Sequence, residues 1–121
     1  MSVNWGFVGS SGWVRSTFAP SVLKAGHRVG GAFGSSTAGS ADFAAELGGT
    51  AYRSLDELIA DPTLDALWIA SPTGLHEQHV RDAARTGKAL LIEKPLAPDD
   101  AGAERIAEGL SGGTAFVAMG F

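Results

Sequence analysis

Four short clusters hold the small, polar and charged residues whose spacing can do chemistry: Gly9-Ser10-Ser11-Gly12-Trp13-Val14, Phe33-Gly34-Ser35-Ser36-Thr37, Ser71-Pro72-Thr73-Gly74-Leu75-His76 and Glu93-Lys94-Pro95. The first has the makings of a phosphate cradle. A glycine allows a tight turn, a small residue lets a pyrophosphate approach the backbone, and the N–H groups of the following helix face the negative charge. Gly9 supplies the turn. Ser11 stands at the second-glycine position of G-x-G-x-x-G/A and Val14 at the third, so the match is imperfect. Gly12 adds backbone freedom, and Ser10 and Ser11 add hydroxyl donors. Taken alone, the stretch reads equally as a glycine-rich turn with no ligand; its place after the first strand of an α/β pattern favours the ligand. Trp13, at the start of the first helix, either shields the pyrophosphate or packs.

The second cluster follows the second strand, where a diol-binding site for the ribose of NAD wants Asp or Glu and a 2′-phosphate site wants Arg. It has neither, and no Arg or Lys lies between Arg28 and Arg53. Ser35 and Ser36 accommodate both forms, and the missing carboxylate tilts the reading towards NADP. The third and fourth clusters follow the fourth and fifth strands. A lysine at a strand end, such as Lys94, offers a cation to a developing alkoxide. His76 is either a cleft residue or a helix-start histidine packed under the loop. His76 and His79 are three apart, whereas a metalloprotease helix needs four, so no metal is expected. Asp99 and Asp100 open a helix and complement its dipole, with no catalytic role. Trp68, inside a strand, reads as core.

These clusters need elements to hold them. Apolar runs at Val3–Val8, Arg28–Phe33, Ala51–Tyr52, Asp65–Ala70, Ala89–Glu93 and Thr114–Met119 predict six strands. Between them, helices are predicted over Gly12–Ala25 (broken by Pro20), Ser40–Leu47, Ser54–Ala60, Gly74–Thr86 and Asp99–Leu110. Ser54 and Glu57 form a capping-box pattern. Strand–helix alternation with continuously apolar strands implies an α/β, doubly wound parallel sheet of the Rossmann type, in the order 3-2-1-4-5-6. Ligands then bind at the carboxyl ends of the strands, near the switch between the first and the fourth. All four clusters lie at such ends.

Composition narrows the function classes. At 121 residues the chain is one domain, and no cysteine is present to form a disulfide, thiolate metal site or thiol nucleophile. A net charge of −4 argues against nucleic acid. No apolar run spans a bilayer and no signal peptide is evident, so a cytoplasmic protein is expected.

In combination, the glycine loop, S-P-T-G-L-H after the fourth strand and E-K-P after the fifth resemble the glucose–fructose oxidoreductase, inositol dehydrogenase and MocA (Gfo/Idh/MocA) family. The family pattern after the fourth strand is T-P-N-x-x-H, so Thr73 replaces the usual Asn. The resemblance extends through LDALWIASPTGLHEQHVRDAARTGKALLIEKPLA and the closing VAMGF. It implies an NAD(P)-dependent oxidoreductase acting on a hydroxyl or carbonyl of a sugar-like or cyclitol substrate, with residues 1–121 as its dinucleotide-binding domain and a C-terminal substrate domain absent. By that resemblance Lys94 is the catalytic residue, near the nicotinamide and the substrate oxygen. Glu93 contacts cofactor or Lys94, Pro95 follows a cis bond, and Ser71, Pro72, Thr73 and His76 line the cleft. The proton donor and the sugar pocket belong to the second domain, so the isolated chain binds cofactor without turnover. A stand-alone, non-catalytic nucleotide-binding or sensor module is the alternative. An S-adenosylmethionine-binding methyltransferase ranks last, having no use for E-K-P.

Overall fold

The computed structural model describes residues 2–110 and, for backbone only, residues 115–117. Six parallel strands form one sheet: β1 (Asn4–Val8), β2 (Arg28–Phe33), β3 (Thr50–Ala51), β4 (Ala66–Ile69), β5 (Ala89–Ile92) and β6 (Ala115–Val117). Their order is β3-β2-β1-β4-β5-β6, the order expected from sequence. Thr114, Ala118 and Met119, also expected in the last strand, lie outside the described residues.

The side-chain alternation of the strands divides the core between the two faces. Phe7 and Ala32 point to one face, where they meet Val14, Ala19, Val22 and Phe43 from the helices beyond β1 and β2. Val8, Leu67, Ile69, Leu90 and Ile92 point to the other, against Leu58, Val80, Ala83 and Ile106. The covering helices are α1 (Ala19–Lys24), α2 (Thr37–Leu47), α3 (Leu55–Ile59), α4 (His76–Ala84) and α5 (Asp100–Gly109). Register aligns the strand ends: Val8 is paired with Phe33 and with Ile69, and Ile69 with Ile92. The loops that follow these residues therefore emerge along one edge, side by side.

The helix starts show how local chemistry sets element bounds. Ser54 Oγ accepts from Glu57 N–H at 3.0 Å and Asp99 Oδ1 from Gly102 N–H at 2.7 Å, both as N-caps. Two departures go beyond the one- or two-residue differences at other element ends. Pro20 does not break the first helix. A π-helical turn over Val14–Phe18, closed by Ala19 N–H on Val14 O, runs directly into α1, and Pro20 falls in the first turn of α1, where its missing N–H costs little. Helix α2 begins at Thr37 rather than Ser40, because Ser36 caps it by accepting from Gly39 N–H at 3.1 Å. Among the described residues no helix is long and apolar enough to cross a membrane.

Candidate functional site

The loop after β1 is shaped by steric contact. Gly9 has φ +123°, and a Cβ there would lie 2.7 Å from the carbonyl oxygen of Ala70 at the end of β4. Its N–H donates to Phe33 O at 2.6 Å, so the loop touches both neighbouring strands at once. Ser10 is buried, and Gly34 and Gly39 are small where it sits: a Cβ on Gly34 would be driven into Ser10 Oγ. The hydroxyl expected to serve a ligand is thus wedged between loops. Ser11 is exposed; its Oγ accepts from Val14 N–H at 3.3 Å and its carbonyl from Arg15 N–H at 3.0 Å, which turns the chain into the first helix. Gly12 is exposed, and a Cβ there would meet nothing within 4 Å.

After β2, Gly34 N–H donates to Ser40 Oγ at 3.0 Å, holding Ser35 and Ser36 at the start of α2. Arg15 reaches this region from the first helix. Its Nη1 donates to Ser10 O at 2.9 Å, and its Nε stands 3.3 Å from Glu46 Oε2 on α2. That ion pair is not a formed hydrogen bond, since the buried Nε–H has no aligned acceptor.

The loops after β4 and β5 are joined by side-chain hydrogen bonds instead. The His76 ring is 1% exposed, with Nε2 2.8 Å from Ser71 O and Nδ1 3.2 Å from Leu96 O. Carbonyls only accept, so the ring is the donor, and the shorter contact is the one from Nε2 to Ser71 O. Ser71 Oγ pairs with His79 Nδ1 at 2.7 Å. Burial, then the neighbouring His76, push the His79 pKa below its ordinary 6.5, while Asp82 opposes the shift. The Trp68 indole, stacked between Phe7 and Phe18, donates to Glu93 Oε1 at 3.0 Å. Trp68 is therefore both core and support: its ring packs, and its N–H orients a carboxylate expected to face cofactor or Lys94. The Lys94–Pro95 bond is cis. Lys94 is exposed and, among the described residues, makes no ion pair.

Two cavities lie along this edge. One of about 530 Å³ runs between the loops after β1 and β2; Gly9, Ser10, Ser35 and Ser36 line it, with Arg15, Asp42 and His79. The other, of about 620 Å³, is lined by Trp13, Thr73, His76, Glu93 and Lys94. They share Ser11, Ala70, Ser71 and Pro72 and so adjoin at the switch between β1 and β4. Trp13 is 64% exposed and meets Phe18 edge-on, so it borders the second cavity more than it packs. Gly12 and Pro95 line neither cavity. Arg15, Asp42 and His79 went unforeseen. Arg15 directly follows the first motif and His79 stands one helical turn past His76, while Asp42 follows a helix start that was itself misplaced.

Residues 3–121 match the model of an oxidoreductase family with an NAD-binding Rossmann fold, Gfo/Idh/MocA. The chain belongs to the Gfo/Idh/MocA family. A 1,5-anhydro-D-fructose reductase of Ensifer adhaerens is 34% identical over 94 residues, which is 77% of this chain and 28% of that protein. A D-xylose 1-dehydrogenase (NADP(+)) of Haloferax volcanii is 39% identical over 93 residues, 76% of this chain and 29% of that one. Among solved structures, a 3-ketoreductase of Actinomadura kijaniata in complex with NADP superposes with a TM-score of 0.80 at 25% identity, over 90% of this chain and 35% of that one. The chain thus spans about a third of the length of these Gfo/Idh/MocA relatives.

Proposed function

We propose that residues 1–121 form the dinucleotide-binding domain of an oxidoreductase that moves hydride between a nicotinamide cofactor and a hydroxyl or carbonyl of a sugar-like or cyclitol substrate. The observation that carries this reading is the pair of adjoining cavities, one serine-lined and one holding a lysine with no ion-pair partner among the described residues, meeting at the ends of β1 and β4. A dinucleotide has two halves joined by a pyrophosphate, and this edge offers two chambers joined at Ser11, Ser71 and Pro72. The residues fit the group. Gly12 leaves the backbone after β1 open to close approach, and Ser11 and the first helix follow it.

When bound, the nicotinamide supplies or accepts the hydride. The chain's own residues do the rest. Ser35 and Ser36 hold the adenosine ribose, and Pro72 and Thr73 border the passage between chambers. Trp13 walls the nicotinamide side. Lys94 sets its ammonium against the substrate oxygen, stabilising the charge that develops there. Glu93, held by Trp68, fixes the neighbourhood of Lys94. A purely nucleotide-binding module has no use for a free cation at this place, which favours the enzyme over the sensor. The substrate wall and the proton donor come from residues outside these 121. NADP is the preferred form, supported by the absence of a carboxylate at Ser35-Ser36 and by the two NADP-named relatives. The net charge of −4 speaks against nucleic acid, and the cysteine-free sequence suits a cytoplasmic setting.

The test is titration of the purified chain with NADPH and with NADH, read by energy transfer from tryptophan to the reduced nicotinamide. The expected result is saturable binding, with transfer largely lost in Trp13→Phe. Absence of binding of both forms at millimolar concentration overturns the reading of this chain as a cofactor-binding unit.

A further inference from the structure

We infer that Arg15, in the helix after β1, is the residue that selects the phosphorylated dinucleotide by receiving the 2′-phosphate of its ribose. The inference rests on the cofactor reading above and deepens it. Where a 2′-phosphate is held, a cation must stand within reach of the ribose hydroxyl, and the sequence provides none after β2: from Val29 to Tyr52 there is no Arg or Lys. The fold brings one from elsewhere. Among the residues lining the first cavity, Arg15 is the one Arg or Lys, and it shares that lining with Ser35 and Ser36.

The guanidinium is placed and under-used. One Nη1 hydrogen bond to Ser10 O at 2.9 Å ties it to the loop after β1, and the side chain is 23% exposed. Its Nε–H is buried without a hydrogen-bond acceptor although Glu46 lies 3.3 Å away. Of five N–H donors one is committed, which leaves the planar fork able to take a phosphate while staying anchored. Glu46, 52% exposed and without an aligned hydrogen bond to Nε–H, is a partner that a dianion can displace. Asp42 is exposed and lines the same cavity, so its carboxylate opposes an anion there and the phosphate must favour Arg15 over it.

The experiment compares NADPH and NADH affinities of the wild-type chain, Arg15→Ala and Arg15→Lys by the tryptophan-transfer titration, with circular dichroism confirming the fold of each. Loss of a charge-assisted phosphate contact is expected to weaken NADPH about tenfold or more in Arg15→Ala, with NADH changed less than about threefold and Arg15→Lys between the two. NADPH binding by the wild type should also weaken more steeply with salt than NADH binding. Equal weakening of both forms shows that Arg15 only braces the loop, and unchanged NADPH affinity shows that it has no part in binding. Either result overturns the inference while leaving the cofactor site standing. A wild-type chain that prefers NADH overturns it too. If the wild type binds neither form, the inference falls together with the reading beneath it. Should Arg15→Ala fail to fold, Arg15→Lys decides by the same ratio.

Discussion

The two walls of the cleft are built by different means. The wall after β1 is steric: Gly9 lies against the Ala70 carbonyl, and Ser10 fills the space that Gly34 and Gly39 leave. The wall after β4 and β5 is polar: His76 spans Ser71 O and Leu96 O, His79 holds Ser71 Oγ, and Trp68 holds Glu93. The difference has a chemical reason. A wall meant to bring backbone N–H groups up to a phosphate must be short of side chains, so it is fixed by close contact. A wall meant to aim a lysine and a carboxylate needs side chains at set angles, so it is fixed by directional bonds. The first should therefore fail under added volume and the second under lost donors or altered protonation.

The largest effect is expected from Gly9→Val. The new Cβ would stand 2.7 Å from a backbone oxygen, and a β-branched residue would have to hold φ near +123°. Neither strain can relax without parting β1 from β4. A loss of roughly 3–5 kcal/mol is expected, measured from the urea midpoint at constant slope. A loss below about 1 kcal/mol would mean that the first wall is not sterically fixed.

His76→Phe tests the second wall. Phenylalanine fills much of the same space but leaves Ser71 O without its donor in a site 1% exposed. Stranding a buried acceptor costs about 1–3 kcal/mol. The same denaturation series should place this variant between wild type and Gly9→Val. If it matches the wild type, hydrogen bonding does not fix this wall and the contrast fails.

How far these walls were legible in sequence follows the same division. Gly9, Lys94 and the strand order were readable because each is local: a turn, a motif, an alternation of apolar runs. Ser54 was readable as a cap for the same reason, whereas Asp99 was read only as opening a helix and proves to cap it. The start of α2 was not, since Ser36-Thr37-Ala38-Gly39 carries no apolar period and its cap bond is visible only when Ser36 and Gly39 are seen to meet. Ser10, assigned to a ligand, lines the first cavity, and its closeness to Gly34 and Gly39, 24 and 29 positions onward, was not readable. Arg15 and His79 belong to the site only because separate strands end at one edge, which no spacing along the chain expresses.

A smaller effect should come from pH, and it should fall on the polar wall alone. His79 has its pKa lowered by burial, so its neutral form is the one that suits the fold. Its contribution is present above the unfolded value of about 6.5 and is lost as pH falls through that value towards the depressed folded one. Asp61 and Glu77 are also held below their ordinary values, by hydrogen bonds from Thr63 and Arg105 respectively, but their contributions fade only in more acidic solution. Between pH 7.5 and 5.5 the melting temperature of the wild type is therefore expected to drop, and in His79→Gln to drop less. Parallel declines would remove His79 from the account.

The smallest effect on stability, and the sharpest test of the comparison, belongs to Gly12→Val. It sits three residues from Gly9 in the same loop, yet a Cβ there meets nothing within 4 Å and its φ is not one of the positive values in this chain. The fold has no need of glycine at this position, so the urea midpoint should shift by no more than about 0.5 kcal/mol. The proposed cofactor reading gives it a different use: a pyrophosphate drawn against this loop would meet the two methyl groups of valine. NADPH affinity is expected to fall at least tenfold while the melting curve stays in place. A variant that binds as well as the wild type would separate the loop from the cofactor. One that unfolds would mean that the steric wall extends past Ser11. Only unchanged stability with lost binding would divide the two glycines, Gly9 for the chain and Gly12 for the ligand.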